Sequence, residues 1–270
     1  MTALPVMGER HHRSWVGPPE YYDRIGALQF IVLVLLGMRE NHTLLDIGCG
    51  SLRGGRFSLM YLNEGRYFGL EPEHWALEEG IAHEVSDGLV ALKKPVFGHG
   101  SDFSATAFGT QFDFIMANGI FMHTGLTQIK QCLGAAAEVL APDGVFIGAY
   151  IRGETDSTDD SDWTYPGIVC YTRERLAELA ATASLRLQFV EWPHPFDHEW
   201  FVALHAGSTR QVPRGLDLGI FSWTEYLADQ VEACGGPRRS HADYLKEDLA
   251  SRVSPEQAER VVPQALERTG

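Results

Sequence analysis

Residues 43–55 read Thr-Leu-Leu-Asp-Ile-Gly-Cys-Gly-Ser-Leu-Arg-Gly-Gly, and this stretch decides the expected fold. The apolar run from Leu44 to Ile47 ends at two closely spaced glycines, as a buried parallel strand does before a tight turn into a helix. Glycines at such a turn let the backbone approach a ligand closely. The helix that follows, predicted over residues 53–62, would direct free N–H groups at that ligand.

A second strand, predicted over residues 67–70, brings Glu71 to its carboxyl end. A carboxylate in this position can accept hydrogen bonds from both ribose hydroxyls of a nucleotide-like cofactor. The spacing alone leaves two cofactors open, because dinucleotide-binding folds use the same device. The glycines depart from the dinucleotide pattern Gly-x-Gly-x-x-Gly, since Arg53 stands at the sixth position and the third glycine comes one place late, at Gly54.

The Asp-Ile-Gly-Cys-Gly segment at residues 46–50 resembles motif I of the class I S-adenosylmethionine-dependent methyltransferases. Later features follow in the order of that family: an acid and an aromatic residue after a third strand, and a Leu-x-Pro-x-Gly turn at residues 140–144. The resemblance covers about residues 43–206. It implies an α/β fold with a Rossmann-like, doubly wound, seven-stranded sheet whose last strand is antiparallel. Within the family, the sequence resembles poorly characterised bacterial members in particular. This narrower resemblance says little about the methyl acceptor.

Carried over to this sequence, the resemblance implies a set of contacts to S-adenosylmethionine. The expected contact residues are Asp46, Gly48, Cys49, Gly50, Glu71, Asp102, Phe103 and Asn118. The glycine turn would hold the methionine part, Glu71 the ribose, and Asp102 with Phe103 the adenine. Asn118 would approach the sulfonium through its backbone carbonyl, and Asp46 would orient the turn or meet the amino group. For Asp102, a turn-capping role is the alternative.

His123 is the candidate catalytic residue. Methyl transfer is an in-line displacement at an activated sulfonium, so the enzyme chiefly holds the two reacting atoms in line. A base is needed only for the acceptor's proton, and a histidine after the fourth strand suits that task. The alternative is a histidine that only hydrogen-bonds the fold. Arg53 is a candidate ligand for an acceptor carboxylate or phosphate, with pairing to Glu71 or Glu73 as its alternative.

A long connection, residues 152–171, follows the fifth strand and lies at the same sheet edge as the glycine turn. Connections of this length inside compact domains are usually functional, so we interpret it as a lid over the acceptor. Its Trp163 and Tyr165 are candidate substrate contacts. Its acidic run, which includes residues 159–162, either binds the acceptor or is simply solvated.

The aromatic residues of the lid and the late strands suit an organic small molecule, and a hydroxyl acceptor fits a histidine base. The leading hypothesis is therefore O-methylation of a sugar or a specialised metabolite. An amine acceptor is the nearest alternative. A non-catalytic module that keeps the cofactor pocket and an NAD-dependent oxidoreductase stay open as functions of other classes.

Composition limits the binding partners and the cellular compartment that we expect for the protein. The formal net charge of −14 and the isoelectric point near 5.2 oppose a nucleic-acid substrate, because such binding draws on clustered Lys and Arg. The four cysteines lack paired spacing, which predicts a reducing cytoplasm. The apolar run from Ile25 to Met38 is shorter than the ~20 residues that span a bilayer, and no cleavage site follows it, so neither a membrane span nor a signal peptide is expected.

Three further expectations concern the rest of the chain. His194, His198 and Glu199 resemble a metal cluster by composition, but Pro195 breaks the regular helix such a site needs, so no metal is predicted. Residues 1–19 are expected to form an N-terminal arm, flexible or laid over the fold, and a helix should run over residues 20–38. Residues 20–206 form the methyltransferase-like domain, with an Asp-Gly turn at residues 87–88. Residues 207–270 are expected to be a helical extension that packs on the domain, covers the acceptor or joins a dimer.

Overall fold

The computed structural model describes residues 6–158, 163–213 and 215–216. Most of the expected helical extension, residues 207–270, lies outside these described residues. The same holds for the aspartates at 159, 160 and 162 of the expected lid. The roles suggested for both segments stay predictions.

The centre of the fold is a seven-stranded sheet with the order β3-β2-β1-β4-β5-β7-β6. Its strands are β1 (Leu44–Ile47), β2 (Tyr67–Leu70), β3 (Val96–Gly98), β4 (Phe112–Ala117), β5 (Leu140–Tyr150), β6 (Leu185–Val190) and β7 (Glu199–His205). Strands β1 to β5 are parallel, and β7 runs antiparallel to both β5 and β6. The predicted fold class, with its antiparallel last strand, is confirmed. Because the strand order reverses between β1 and β4, a crevice opens at the carboxyl ends of these central strands.

Helices cover both faces of the sheet. They are α1 (His12–Trp15), α2 (Tyr22–Leu35), α3 (Gly55–Tyr61), α4 (His74–Gly80), α5 (Asp87–Lys93), α6 (Leu126–Val139) and α7 (Arg173–Thr182). A 3₁₀ turn, Pro19–Tyr21, precedes α2, and a π-helical segment, Ile81–Val85, continues α4. The Asp-Gly turn expected at residues 87–88 was wrong: Ser86 caps a helix there, because its hydroxyl accepts a hydrogen bond from the Leu89 N–H at 3.4 Å.

Two apolar clusters, one on each face, hold the sheet between its helices. One includes Leu133 of α6 with Phe146 and Phe201 of the sheet, and the other joins Val32 of α2 to Met116 of β4. Burial on both faces explains why these strands read as nearly continuous apolar runs. Among the described residues, none of the helices has the length and apolar character needed to cross a bilayer.

Residues 6–19 lie over the fold as an ordered arm. The Trp15 ring packs edge-on against Trp75 and Tyr165, with centroid distances of 5.3 and 5.4 Å. The side chain of Glu84, only 4% exposed, accepts hydrogen bonds from Arg13 at 2.6 Å and from His12 at 2.9 Å. This ionic contact fixes the arm on the segment after α4 and brings Trp15 to the sheet edge where the crevice opens.

Candidate active site

A cavity of about 740 Å³ occupies the crevice at the carboxyl ends of β1, β2 and β4. Its volume lies within the ~300–1,000 Å³ typical of small-molecule sites. We call one side the strand-end half: its lining includes Asp46, Gly48, Cys49, Gly50, Glu71, Glu73, Ser101, Phe103 and Asn118. We call the other side the loop half: its lining includes Trp15, Met122, His123, Ile151, Trp163, Tyr165, Ile168, His194, Phe196 and His198. Arg53 also lines the cavity.

The glycine turn presents its backbone to the cavity. Gly48 and Gly50 have φ angles of +68° and +53°, the left-handed region that favours glycine. The thiol of Cys49 is buried on the other side of the turn, where a side chain on Gly69 would meet it at 2.8 Å. Cys49 therefore lines the cavity through its backbone, as expected for a turn that approaches a ligand closely.

Glu71 is held in a fixed orientation at the end of β2. One carboxylate oxygen accepts a hydrogen bond from the Gly50 N–H at 2.8 Å, and the other from the Glu73 N–H at 2.9 Å. Burial raises the pKa of this carboxyl above its ordinary value. Each oxygen keeps a further lone pair, so the group has two acceptor sites for a ligand hydroxyl.

Two more polar groups of the strand-end half are buried. Asp46 accepts a hydrogen bond from the Tyr67 hydroxyl at 2.7 Å, and burial raises its pKa to about 7. Asn118 is 7% exposed, and its side-chain oxygen has no hydrogen-bond partner among the described residues. Because buried acceptors are nearly always satisfied, this oxygen is expected to receive a donor from a bound ligand.

Asp102 lies outside the cavity lining. Its side chain is exposed, and one carboxylate oxygen accepts a hydrogen bond from the Ser104 N–H at 3.1 Å. Phe103, which has a φ of +62°, does line the cavity, as does Ser101. The capping contact is the alternative considered for this aspartate, and contact between Asp102 and adenine stays a prediction.

His123 stands in the loop half with a defined tautomer. It is 8% exposed, and its Nδ1 lies 2.7 Å from the carbonyl oxygen of Gly167. Since a carbonyl only accepts, Nδ1 carries the proton, and Nε2 of the neutral ring is left as an acceptor. Burial lowers the pKa of His123 below 6.5. The rings of Trp163 and Tyr165 lie 5.8 and 4.9 Å from the imidazole.

The guanidinium of Arg53 is buried and forms no ion pair with the described residues, although the charge of Asp46 acts on it and opposes the lowering of its pKa. It donates a hydrogen bond to the Val16 carbonyl, while its Nε has no partner among the described residues. The pairing with Glu71 or Glu73 that the sequence left open is absent from the ion pairs of the described residues. Burial lowers the pKa of Arg53 to about 10.

Sequence reasoning missed a histidine pair in the loop half. The rings of His194 and His198 stack with a centroid distance of 3.9 Å, and burial lowers their pKa values to about 3 and 4. The sequence drew attention to both residues, but only as candidate metal ligands. Within the described ranges, no group of three or more His, Cys, Asp or Glu side chains is arranged to hold a metal ion.

Comparisons with known proteins agree on one kind of domain. Residues 45–146 match a family model described as a methyltransferase domain. Sterol 24-C-methyltransferase erg-4 of Neurospora crassa is 26% identical over 157 residues, which make up 57% of this chain and 40% of that protein. The chain therefore spans less than half the length of this curated relative.

Solved structures share the fold. Magnesium protoporphyrin IX methyltransferase from Synechocystis PCC 6803 with bound S-adenosylmethionine is similar at a TM-score of 0.51 and 12% identity, covering 67% of this chain and 81% of that chain. An O-methyltransferase family protein from Burkholderia thailandensis is similar at a TM-score of 0.53 and 13% identity, covering 72% of this chain and 58% of that chain. Residues 45–146 match a methyltransferase domain, and the described part of the chain has the fold of these solved structures.

The residues of this methyltransferase domain fit its cofactor. Glu71 offers two carboxylate acceptors beside the glycine turn, as ribose hydroxyls require. The unpaired side-chain oxygen of Asn118 can accept a donor from the ligand. Gly48 and Gly50 have no side chains, so the turn presents its backbone to the cavity at both positions. The strand-end half is thus suited to S-adenosylmethionine.

Proposed function

We propose that this protein transfers the methyl group of S-adenosylmethionine to a hydroxyl of a small molecule, with His123 as the general base. The observation that carries this proposal is the hydrogen bond from His123 Nδ1 to the Gly167 carbonyl at 2.7 Å. It leaves Nε2 as a proton acceptor on a residue that lines the loop half of the cavity.

The chemistry of the step is simple. The bound cofactor supplies a methyl group that is already activated on a positively charged sulfur. His123 Nε2 takes the proton of the acceptor hydroxyl as that oxygen bonds to the methyl carbon and the carbon–sulfur bond breaks. The products are a methyl ether, S-adenosylhomocysteine and a protonated His123, which returns its proton to solvent.

The remaining residues hold the two reactants. Glu71 fixes the ribose and, through its bond from the Gly50 N–H, ties the ribose site to the glycine turn. Trp163 and Tyr165 stand around His123 and flank the acceptor. Holding donor carbon and acceptor oxygen in line supplies most of the rate enhancement in a reaction of this type.

Calorimetric titration with S-adenosylhomocysteine, with NAD as the control ligand, tests the cofactor assignment. We expect the parent protein to bind S-adenosylhomocysteine, to bind it more weakly as Glu71→Ala, and to give no heat with NAD. Binding of NAD alone would contradict the methyltransferase assignment.

Release of S-adenosylhomocysteine in the presence of hydroxylated sugars, phenols or matched primary amines tests the acceptor atom. We expect turnover with hydroxyl compounds, and turnover restricted to amines would contradict oxygen as the acceptor. The base must be neutral, so the rate should be flat above pH 7 and fall on acidification, with a midpoint below 6.5 because burial lowers the pKa of His123. A rate that does not change below this pH would argue against a histidine base.

A further inference from the structure

Arg53 is a buried cation that forms no ion pair with the described residues. It is 8% exposed and lines the cavity, and its Nε lacks a hydrogen-bond partner among the described residues. Its one hydrogen bond goes to the uncharged carbonyl of Val16. A buried charge is strongly unfavourable unless it is paired, so the filled site is expected to supply a counter-ion.

The loop half is free of acids. Among the described residues that line the cavity, the carboxylates are Asp46, Glu71 and Glu73, and all three belong to the strand-end half. The loop half instead presents His123, His194 and His198. This is unusual in a protein whose formal net charge is −14. Among the described residues of this wall, an anionic ligand would meet no like charge.

The charge of the guanidinium affects the pKa values of residues in the loop half. Its charge is one of the causes that lower the pKa of His194 and His198, and it also lowers the pKa of Tyr165 against the effect of burial. One of its nitrogens would lie 4.0 Å from a side-chain carbon on Gly119, at the start of the segment that leads to His123. Arg53 therefore stands beside the residues that would surround the acceptor.

We propose that the acceptor is an aromatic hydroxy acid whose carboxylate pairs with Arg53, an inference that rests on the proposed function. The guanidinium offers N–H donors in a planar fork that matches a carboxylate. The rings of Trp15 and Trp163 lie 5.4 and 6.4 Å from Tyr165 and form an aromatic wall for the acceptor ring. The hydroxyl of the acceptor then meets Nε2 of His123.

Matched acids and amides test this assignment by binding. The protein saturated with S-adenosylhomocysteine is titrated with ring-hydroxylated benzoates, phenylacetates and cinnamates, and with the amide of each. We expect at least one acid to bind about tenfold or more tightly than its amide, as a charge-assisted pair allows. Arg53→Gln should abolish this difference and Arg53→Lys should keep part of it. Arg24→Gln, at an exposed position of α2, is the matched control and should leave it unchanged.

A second pair of ligands tests whether Arg53 binds the carboxylate of the acceptor or that of the cofactor. Methylthioadenosine lacks the amino-acid part of S-adenosylhomocysteine. If Arg53 serves the acceptor, Arg53→Gln leaves the affinity for both compounds unchanged. A variant that loses S-adenosylhomocysteine but keeps methylthioadenosine would overturn the proposal and place the guanidinium on the cofactor. Thermal unfolding checks that the variant is folded, and Arg53→Lys answers the same question if it is not.

The outcomes distinguish this inference from the proposed function. Acids that bind with the expected preference but are never methylated would support Arg53 as an anion site and contradict the hydroxyl transfer. Methylation of neutral hydroxyl compounds with no preference for acids would support the transfer and overturn the role of Arg53. Failure of every acid to bind the complex would overturn the role of Arg53 as well.

Discussion

The strand-end half and the loop half of the cavity are built in different ways. The first consists of residues at or shortly after the carboxyl ends of β1, β2, β3 and β4, and its two buried acids are held by Tyr67 and by the Gly50 backbone. The second gathers segments that are far apart in the sequence: the arm, residues 122–123 after β4, Ile151 after β5, residues 163–168 and residues 194–198. Ring contacts and single hydrogen bonds join these segments to one another.

This difference separates the two tasks of a methyltransferase. The position of the proposed cofactor contacts follows from the register of the parallel strands, so it changes only if the sheet changes. The proposed acceptor contacts lie on loops, which can vary without loss of the fold. We therefore expect substitutions in the strand-end half to alter cofactor affinity or stability, and substitutions in the loop half to alter turnover.

Replacing His123 should have the largest effect. We expect His123→Asn to lower kcat by about 10²–10⁴-fold, the usual contribution of a general base, while affinity for S-adenosylhomocysteine is unchanged. Single-turnover kinetics and calorimetry measure the two quantities separately. His42→Asn, at a half-buried position outside the cavity lining, is the control. Equal loss of cofactor affinity would show that the two halves are not independent.

Replacing Glu71 should weaken binding in the strand-end half of the cavity. Glu71→Gln keeps the shape of the side chain but removes the charge, and we expect S-adenosylhomocysteine to bind ~10–100-fold more weakly, because hydrogen bonds to charged groups contribute ~1.5–3 kcal/mol. Calorimetry checks this, with the exposed Glu64→Gln as control. An unchanged affinity would mean that the ribose does not form hydrogen bonds with Glu71.

Substituting Gly80 tests how rigidly the glycine turn is supported. A side-chain carbon on Gly80 of α4 would lie 2.4 Å from the carbonyl oxygen of Ser51, so Gly80→Ala must shift backbone next to the turn. We expect a loss of about 1–3 kcal/mol in the free energy of unfolding, measured by chemical denaturation, and weaker cofactor binding.

Gly134→Ala is the matched control for Gly80→Ala. Gly134 lies in α6, and nothing stands within 4 Å of an added side-chain carbon. This substitution should raise stability by roughly 0.5–1 kcal/mol, because alanine loses less conformational freedom in a helix. Equal effects at the two positions would argue against tight packing of α4 on the turn.

The smallest effect that we expect is a dependence of stability on pH, which the histidine pair causes. Burial lowers the pKa of His194 to about 3 and of His198 to about 4 in the folded protein, whereas an unfolded histidine titrates near 6.5. As the pH falls below 6.5 the unfolded state binds more protons, so the free energy of unfolding should decrease down to about pH 3, the pKa of the folded His194.

Denaturation at several pH values measures this slope. His198→Asn should make it shallower, and His42→Asn should not. A slope that His198→Asn leaves unchanged would mean that the loop half is open to solvent. Because buried His123 also has a lowered pKa, part of the slope should persist in His198→Asn.

Several features of this protein follow from its sequence alone. The predicted strand at residues 67–70 has the observed bounds, because apolar runs between Gly, Pro and acidic residues are local signals. Since parallel strands share one carboxyl edge, the convergence of Asp46, Glu71 and Asn118 was also predictable.

Only the tertiary structure decided the remainder of the site. Four features depend on contacts between segments distant in the chain: the arm over the cavity, the stacking of His194 on His198, the outward position of Asp102, and the burial of Arg53 without an ion pair among the described residues. No periodicity records such contacts, because they depend on loop conformation and on which side chains exclude water together. The sequence determined the sheet and the strand-end half of the cavity through local pattern, whereas the loop half arose from packing between loops.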